Sequence, residues 1–157
     1  SFGTGRIPKT INYNFEIIHN NKVTFLSYIN GFSNLRSLYQ RKIILENNDN
    51  ELLIDIIDTL DCKKEILYKL NWHEGPNLNK KILKKIIKDN HDNISKKYSQ
   101  NIIETWISED FNLREKRFTL LQKGLLSKGE NILTTRIYLP VKFYNEISLN
   151  KKNNSLI

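Results

Sequence analysis

Three histidines, His19, His73 and His91, are the side chains best suited to proton transfer or metal binding in this chain of 157 residues. None has a second histidine four positions away, the spacing that puts two imidazoles on one helical face around a metal. Each is read as a structural or surface histidine. Serines and aspartates are plentiful, but no glycine-framed nucleophile is present. Gly3-Thr4-Gly5 looks like a phosphate loop, yet it precedes a strand and lacks the Lys-Ser/Thr pair and helix that grip a phosphate. Asp55, Asp58 and Asp61 recur every third residue and are read as an exposed acidic helix face. No catalytic residue, metal ligand or cofactor is assigned. The chain is expected to be no enzyme and to take no small-molecule substrate.

Charge is the stronger signal. Lys and Arg total 25 against 17 Asp and Glu, which gives +8 and a pI near 9.5. Such a balance favours an anionic partner, nucleic acid ahead of an acidic membrane surface. Hydrophobic residues make up 39%, below the usual globular share, so a bound partner would add stability by mass action. Cys62 is the one cysteine, which excludes an internal disulfide and argues against a thiolate metal cluster. No apolar run approaches the ~18 residues of a membrane-spanning helix. No secretory signal is visible, and a soluble protein or a part of a soluble assembly is expected. Ala and Met are absent and Val occurs only at Val23 and Val141. Ile, Asn, Lys and Leu take their place, as in a very AT-rich gene, so many Asn and Lys reflect mutational bias. The absent initiator Met points to trimming or to an ordered stretch only.

These residues must be positioned by a framework. Residues 11–18 and 22–29 read as a hairpin through His19-Asn20-Asn21, since Asn tolerates the left-handed backbone of a tight turn. Ile11, Tyr13, Phe15 and Ile17 alternate with polar residues, and this apolar face is expected to build the core. Residues 41–46 and 51–54 flank a second turn, Asn47-Asn48-Asp49-Asn50. The middle reads as helical. Ile82, Leu83, Ile86 and Ile87 form a stripe among lysines, an amphipathic basic helix. A second helix over 93–111 carries Ile94, Tyr98, Ile102 and Trp106 at four-residue spacing, with Asn93 or Ser95 as cap. Strands over 115–126 and 131–143 flank a Gly-containing turn, with Pro140 at a strand end or edge. Hairpins, helices and a further hairpin predict an α+β fold, divided as 1–54, a helical connection over 55–93, and 94–157.

The opening resembles large-subunit ribosomal protein L-six. Ile7-Pro8-Lys9-Thr10-Ile11 stands for the family's Ile-Pro-x-x-Val/Ile, followed by an alternating strand, an Asn turn and Lys22-Val23. Asn101, Ile103, Ile107 and Phe111 match the family's second-half helix. Phe118, Leu120, Gly124 and Gly129, then Tyr138-Leu139-Pro140-Val141, match its closing strands. The matched segments are roughly 5–54 and 95–146. Residues 55–93 are an insertion relative to the family, and the C-terminal half stops before the family's basic tail. The resemblance implies two similar small α+β domains. It also implies a structural place in the large subunit near its factor-binding side, against ribosomal RNA and neighbouring ribosomal proteins.

The resulting expectation is a non-catalytic ribosomal protein of an organelle. The mitochondrial matrix comes first, with plastid or apicoplast as the alternative, and no membrane partner. Arg6, Lys9 and Lys22 are expected near RNA phosphate. Lys80, Lys81, Lys84 and Lys85 are expected against RNA or protein, and Lys151 and Lys152 where a basic tail would lie. The rival from another class is a DNA-binding regulator with a helix-turn-helix over 81–106.

Overall fold

A computed structural model describes residues 9–19, 21–48, 50–73, 86–107 and 115–140. β-Branched and aromatic residues recur through these segments and favour extended backbone. The strands are β1 (Lys9–His19), β2 (Lys22–Asn30), β3 (Tyr39–Asn48), β4 (Glu51–Cys62), β5 (Ile66–His73), β6 (Ile87–Asp89), β7 (Lys96–Ile107), β8 (Glu115–Leu126) and β9 (Gly129–Pro140). One helical turn, α1 (His91–Ile94), separates β6 from β7. Six strands form one sheet in the order β1-β2-β3-β4-β9-β6, and three form another in the order β5-β8-β7. All the paired strands are antiparallel.

The two sheets face each other across two apolar clusters. Cys62 and Leu133 of the large sheet meet Tyr68 and Leu126 of the small one, together with Leu35. Ile86 and Ile87 meet Leu120, with Trp72, Phe118 and Ile137 packed around them. Leu120 and Leu126 are wholly buried. Each such side chain contributes about 1.5–3 kcal/mol by leaving water.

The α+β expectation is therefore corrected to an antiparallel β-sandwich. No helical connection fills the described part of 55–93, which holds most of β4, the helical residue Ile86, all of β5 and β6, and the start of α1. The expected second helix is corrected as well, because most of it is β7. The physical reason is that a four-residue spacing satisfies a strand as well as a helix, since four is twice the strand period. Ile102, Ile103 and Thr105 then favour the strand. Tyr98 and Ile102 do turn inward, but Trp106 is 64% exposed. With β7 in its place, the expected recognition helix of a helix-turn-helix is absent from the described part of 81–106.

The two N-terminal hairpins match expectation. The C-terminal one does not: β8 lies between β5 and β7, whereas β9 lies between β4 and β6. The short link between them crosses from sheet to sheet. Gly129 takes a φ of 105° there, a conformation open to glycine, and the Asn131 side chain ties the corner by donating to the Ser127 and Gly129 carbonyls at 2.9 Å each. β9 pairs with β4 from Gly129 to Pro140, so strands of the two expected halves share one sheet.

A second correction concerns the first strand. Tyr13, Ser27, Arg41, Asp58 and Leu133 are successive register partners across β1, β2, β3, β4 and β9, so they share one face. At Leu133 that face is core. At β1 it is open: Ile11, Tyr13, Phe15 and Ile17 are 54–70% exposed. The apolar face of the opening hairpin does not build the core, because a three-stranded sheet covers only part of a six-stranded one.

Candidate functional site

The small sheet ends at β5, and a cleft opens beside it. Its volume is about 410 Å³, and its walls include Phe32, Tyr39, Asp58, Tyr68, Lys69 and Leu133. The β3–β4 hairpin supplies the floor. Counting outward from the turn pair Asn48↔Glu51 brings Arg41 opposite Asp58. Asp58 is 3% exposed and would be costly to bury unpaired. It receives Arg41 Nε at 2.7 Å and Nη2 at 2.9 Å, and Tyr39 Oη at 2.6 Å. The fork-to-fork Arg–carboxylate pair is strong and directional. The Arg41 guanidinium also lies 5.6 Å from the Tyr39 ring centroid, and Phe32 meets Tyr39 edge-on at 5.6 Å.

Electrostatics sets what this floor can do. Burial, then the Asp58 charge, pushes the Tyr39 phenol well above its ordinary range. The hydrogen bond to Asp58 raises Arg41 against the opposing effect of burial. Tyr39 therefore holds its proton and serves as a donor, not as a base. Tyr68 is pushed up to about 12 by burial. Its hydroxyl is buried without a hydrogen-bond partner among the described residues. The nearby Ser95 hydroxyl donates instead to the Leu125 carbonyl at 3.2 Å.

Behind the cleft lies a buried polar network that joins the sheets. Asp89 accepts from Tyr98 Oη at 2.8 Å, from Gln122 Nε2 at 2.5 Å and from the His91 backbone N–H at 3.0 Å. Trp72 Nε1 donates to Gln122 Oε1 at 2.6 Å. His91 is wholly buried between the Tyr68 and Tyr98 rings, with Nε2 3.2 Å from Thr135 Oγ1. Burial lowers its pKa despite Asp89, Asp58 and Asp92 nearby. It is a neutral core histidine that opens α1.

Of the residues picked from sequence, the described ones do not gather in the cleft, apart from Asp58. Lys9 begins β1 and is exposed. Lys22 is ion-paired with Glu46 at 3.1 Å. Arg6, Lys80, Lys81, Lys84, Lys85, Lys151 and Lys152 lie outside the described residues, as does Gly3-Thr4-Gly5. His73 closes β5, with Nδ1 2.8 Å from Thr119 Oγ1. The aspartates expected on an exposed helix face are in β4, where spacing by three splits them between its two faces. Each meets a different arginine: Asp55 with Arg136, Asp58 with Arg41, Asp61 with Arg36. Among the described residues no metal-holding group of His, Cys, Asp and Glu forms. Tyr39, Arg41, Asp58 and Lys69 were missed as site residues. The hairpin register carried the signal for Arg41 and Asp58, and nothing local marked Lys69.

No family model matches the sequence, and no curated protein matches it. Solved structures do. A heparan sulfate lyase, HepC from Pedobacter heparinus, is 17% identical at a TM-score of 0.59, over 85% of this chain and 22% of its own. The fold is shared with a part of that lyase. A mutant form of it gives 16% and 0.57 over the same shares. A heparinase III gene product gives 13% and 0.54, over 82% of this chain and 21% of its own. This chain thus spans about a fifth of the length of the structures it resembles, and at these identities the likeness is one of fold.

Proposed function

We propose that this chain is the sugar-holding β-sandwich of a protein that acts on an acidic polysaccharide, and that its own described residues bind without cleaving. The observation that carries this reading is the cleft beside β5. Aromatic walls at Phe32 and Tyr39 suit the apolar face of a sugar ring, a few fixed polar groups suit its hydroxyls, and Lys69 at the wall suits its acidic group. The net charge of +8 favours a polyanion over a neutral glycan. A tyrosine that serves as base for bond cleavage must first have lost its own proton, whereas Tyr39 and Tyr68 are shifted toward keeping theirs. The fold likeness makes heparan sulfate the first polymer to try.

The test is calorimetric titration of the chain with heparan sulfate, a neutral polysaccharide and folded large-subunit ribosomal RNA. Saturable binding of heparan sulfate is expected, weakened in the Phe32→Ala and Tyr39→Ala variants, with no unsaturated product released. Release of unsaturated fragments by the chain would overturn the binding-only part. Preference for folded RNA, falling steeply with salt, would restore the ribosomal reading. That reading keeps the charge, whereas the α+β class it implied is replaced by a sandwich.

A further inference from the structure

Three register pairs in the large sheet set a cation directly opposite a carboxylate: Lys22 and Glu46, Arg41 and Asp58, Arg136 and Asp55. Each is closed by an ion pair. Where the large sheet sets like charges opposite each other, at Lys88 and Arg136 and at Asp61 and Glu130, one member of each pair is ion-paired elsewhere, Arg136 with Asp55 and Asp61 with Arg36. The small sheet places Lys69 of β5 directly opposite Lys123 of β8. Like charges facing each other across strands are destabilising unless something lies between them. Among the described residues neither lysine has an ion-pair partner.

Strand alternation shows where they point. Tyr68 and Leu70 on β5, and Leu120 and Leu126 on β8, pack into the core, so Lys69 and Lys123 face outward. That face is open at β5, for Leu67 beside Lys69 is 60% exposed, and is partly covered toward β7. Lys123 has Ser99 of β7 as its register partner on the other side. Tyr98 and Gln100 turn inward to Asp89, so Ser99 faces outward with the lysines. Its hydroxyl is buried and has no hydrogen-bond partner among the described residues, an arrangement that native proteins seldom leave unfilled. A bulge between Lys96 and Ser99, with Lys97 at a φ of 53°, sets this stretch of β7. Bulges often re-aim a side chain beside a site. One step along the strands, Asn71 and Asn101 flank Leu121 on the same face.

We infer that Lys69, Lys123 and Ser99 form an oxyanion subsite for the sulfate or carboxylate of an acidic sugar chain. The two ammonium groups neutralise the anion, and the Ser99 hydroxyl donates to one of its oxygens. The row spans two inter-strand steps, about 10 Å, a gap that flexible lysine stems close. Lys69 belongs both to this row and to the cleft wall, so a chain seated in the cleft continues over β5 onto the outward face. In that continuity the inference rests on the polysaccharide reading above.

The test is an NMR titration of the full chain, first with inorganic sulfate, then with matched sulfated and unsulfated oligosaccharides. Sulfate is expected to shift the amide signals of Lys69, Ser99 and Lys123 together. The chain is expected to prefer the sulfated oligosaccharide by about tenfold, the worth of one or two charge-assisted hydrogen bonds. Lys123→Gln should erase that preference, and Lys123→Arg should restore part of it. If both oligosaccharides bind alike in the wild type and in Lys123→Gln, the subsite is wrong and the cleft reading stands. If neither binds, the cleft reading fails, and inorganic sulfate alone decides the subsite: shifts at the three residues support it, and their absence overturns it.

Discussion

The register row from Tyr13 to Leu133 has two ends in opposite environments. Leu133 is 2% exposed and Asp58 3%, under the small sheet, whereas Tyr13 is 70% exposed on the same face of the same sheet. Around Tyr13 the surface stays apolar, with Phe25 stacked at 6.3 Å and Ile11, Phe15 and Ile17 open to solvent. The cleft lies at the boundary, where β5 ends the cover. Alternation of apolar residues thus marks a face that can be buried, and the number of strands opposite decides which part is. Polar chemistry gathers at the boundary because charged groups there can be desolvated on one side and reached from the other.

Five side chains test that contrast. The largest loss is expected for Asp58→Ala, about 3–5 kcal/mol, since it strands the Arg41 charge and removes the acceptor of Tyr39. Asp58→Asn keeps an acceptor and should lose less in urea unfolding; equal losses would remove the electrostatic account of the floor. Leu120→Ala under the cover should lose about 3 kcal/mol by transfer and cavity formation.

Acid should act next, through His91. Its folded pKa lies below its ordinary 6.5 because of burial, so below 6.5 the unfolded chain takes up a proton that the folded chain refuses. Stability then falls as pH drops through 6.5 toward the folded pKa. His91→Gln should flatten that part of a denaturation–pH profile, and an unchanged slope would exclude His91 as its source. Tyr39 gives the opposite limb: its folded pKa is raised above the ordinary 10.0, so stability falls as pH rises beyond 10. The smallest effect is expected on the open face, where Phe15→Ala should cost about 0.5 kcal/mol or less. A loss matching Leu120→Ala would mean that something covers β1 in solution.

Parts of this were legible from the chain. Both N-terminal hairpins were, since an Asn-rich turn and strict alternation determine partner and register together. The Arg41–Asp58 pair follows from that register by counting. The helix expected from Ile94, Tyr98, Ile102 and Trp106 misled because the spacing fits both periods. The Lys69–Lys123 row could not be read at all, because β5 and β8 are about fifty residues apart and no turn joins them.

From the chain alone came the local geometry of the N-terminal hairpins: where Asn turns reverse the backbone and which residues meet across those turns. The sequence also determined the charge of +8, and with it the expectation of an anionic partner. Long-range packing settled that β8 and β9 part into different sheets, that α+β gives way to a sandwich, and that the most regular apolar strand stays uncovered. The reason is that hairpin pairing is settled within a few residues of a turn, while the choice of a distant strand or facing sheet depends on total burial across the molecule.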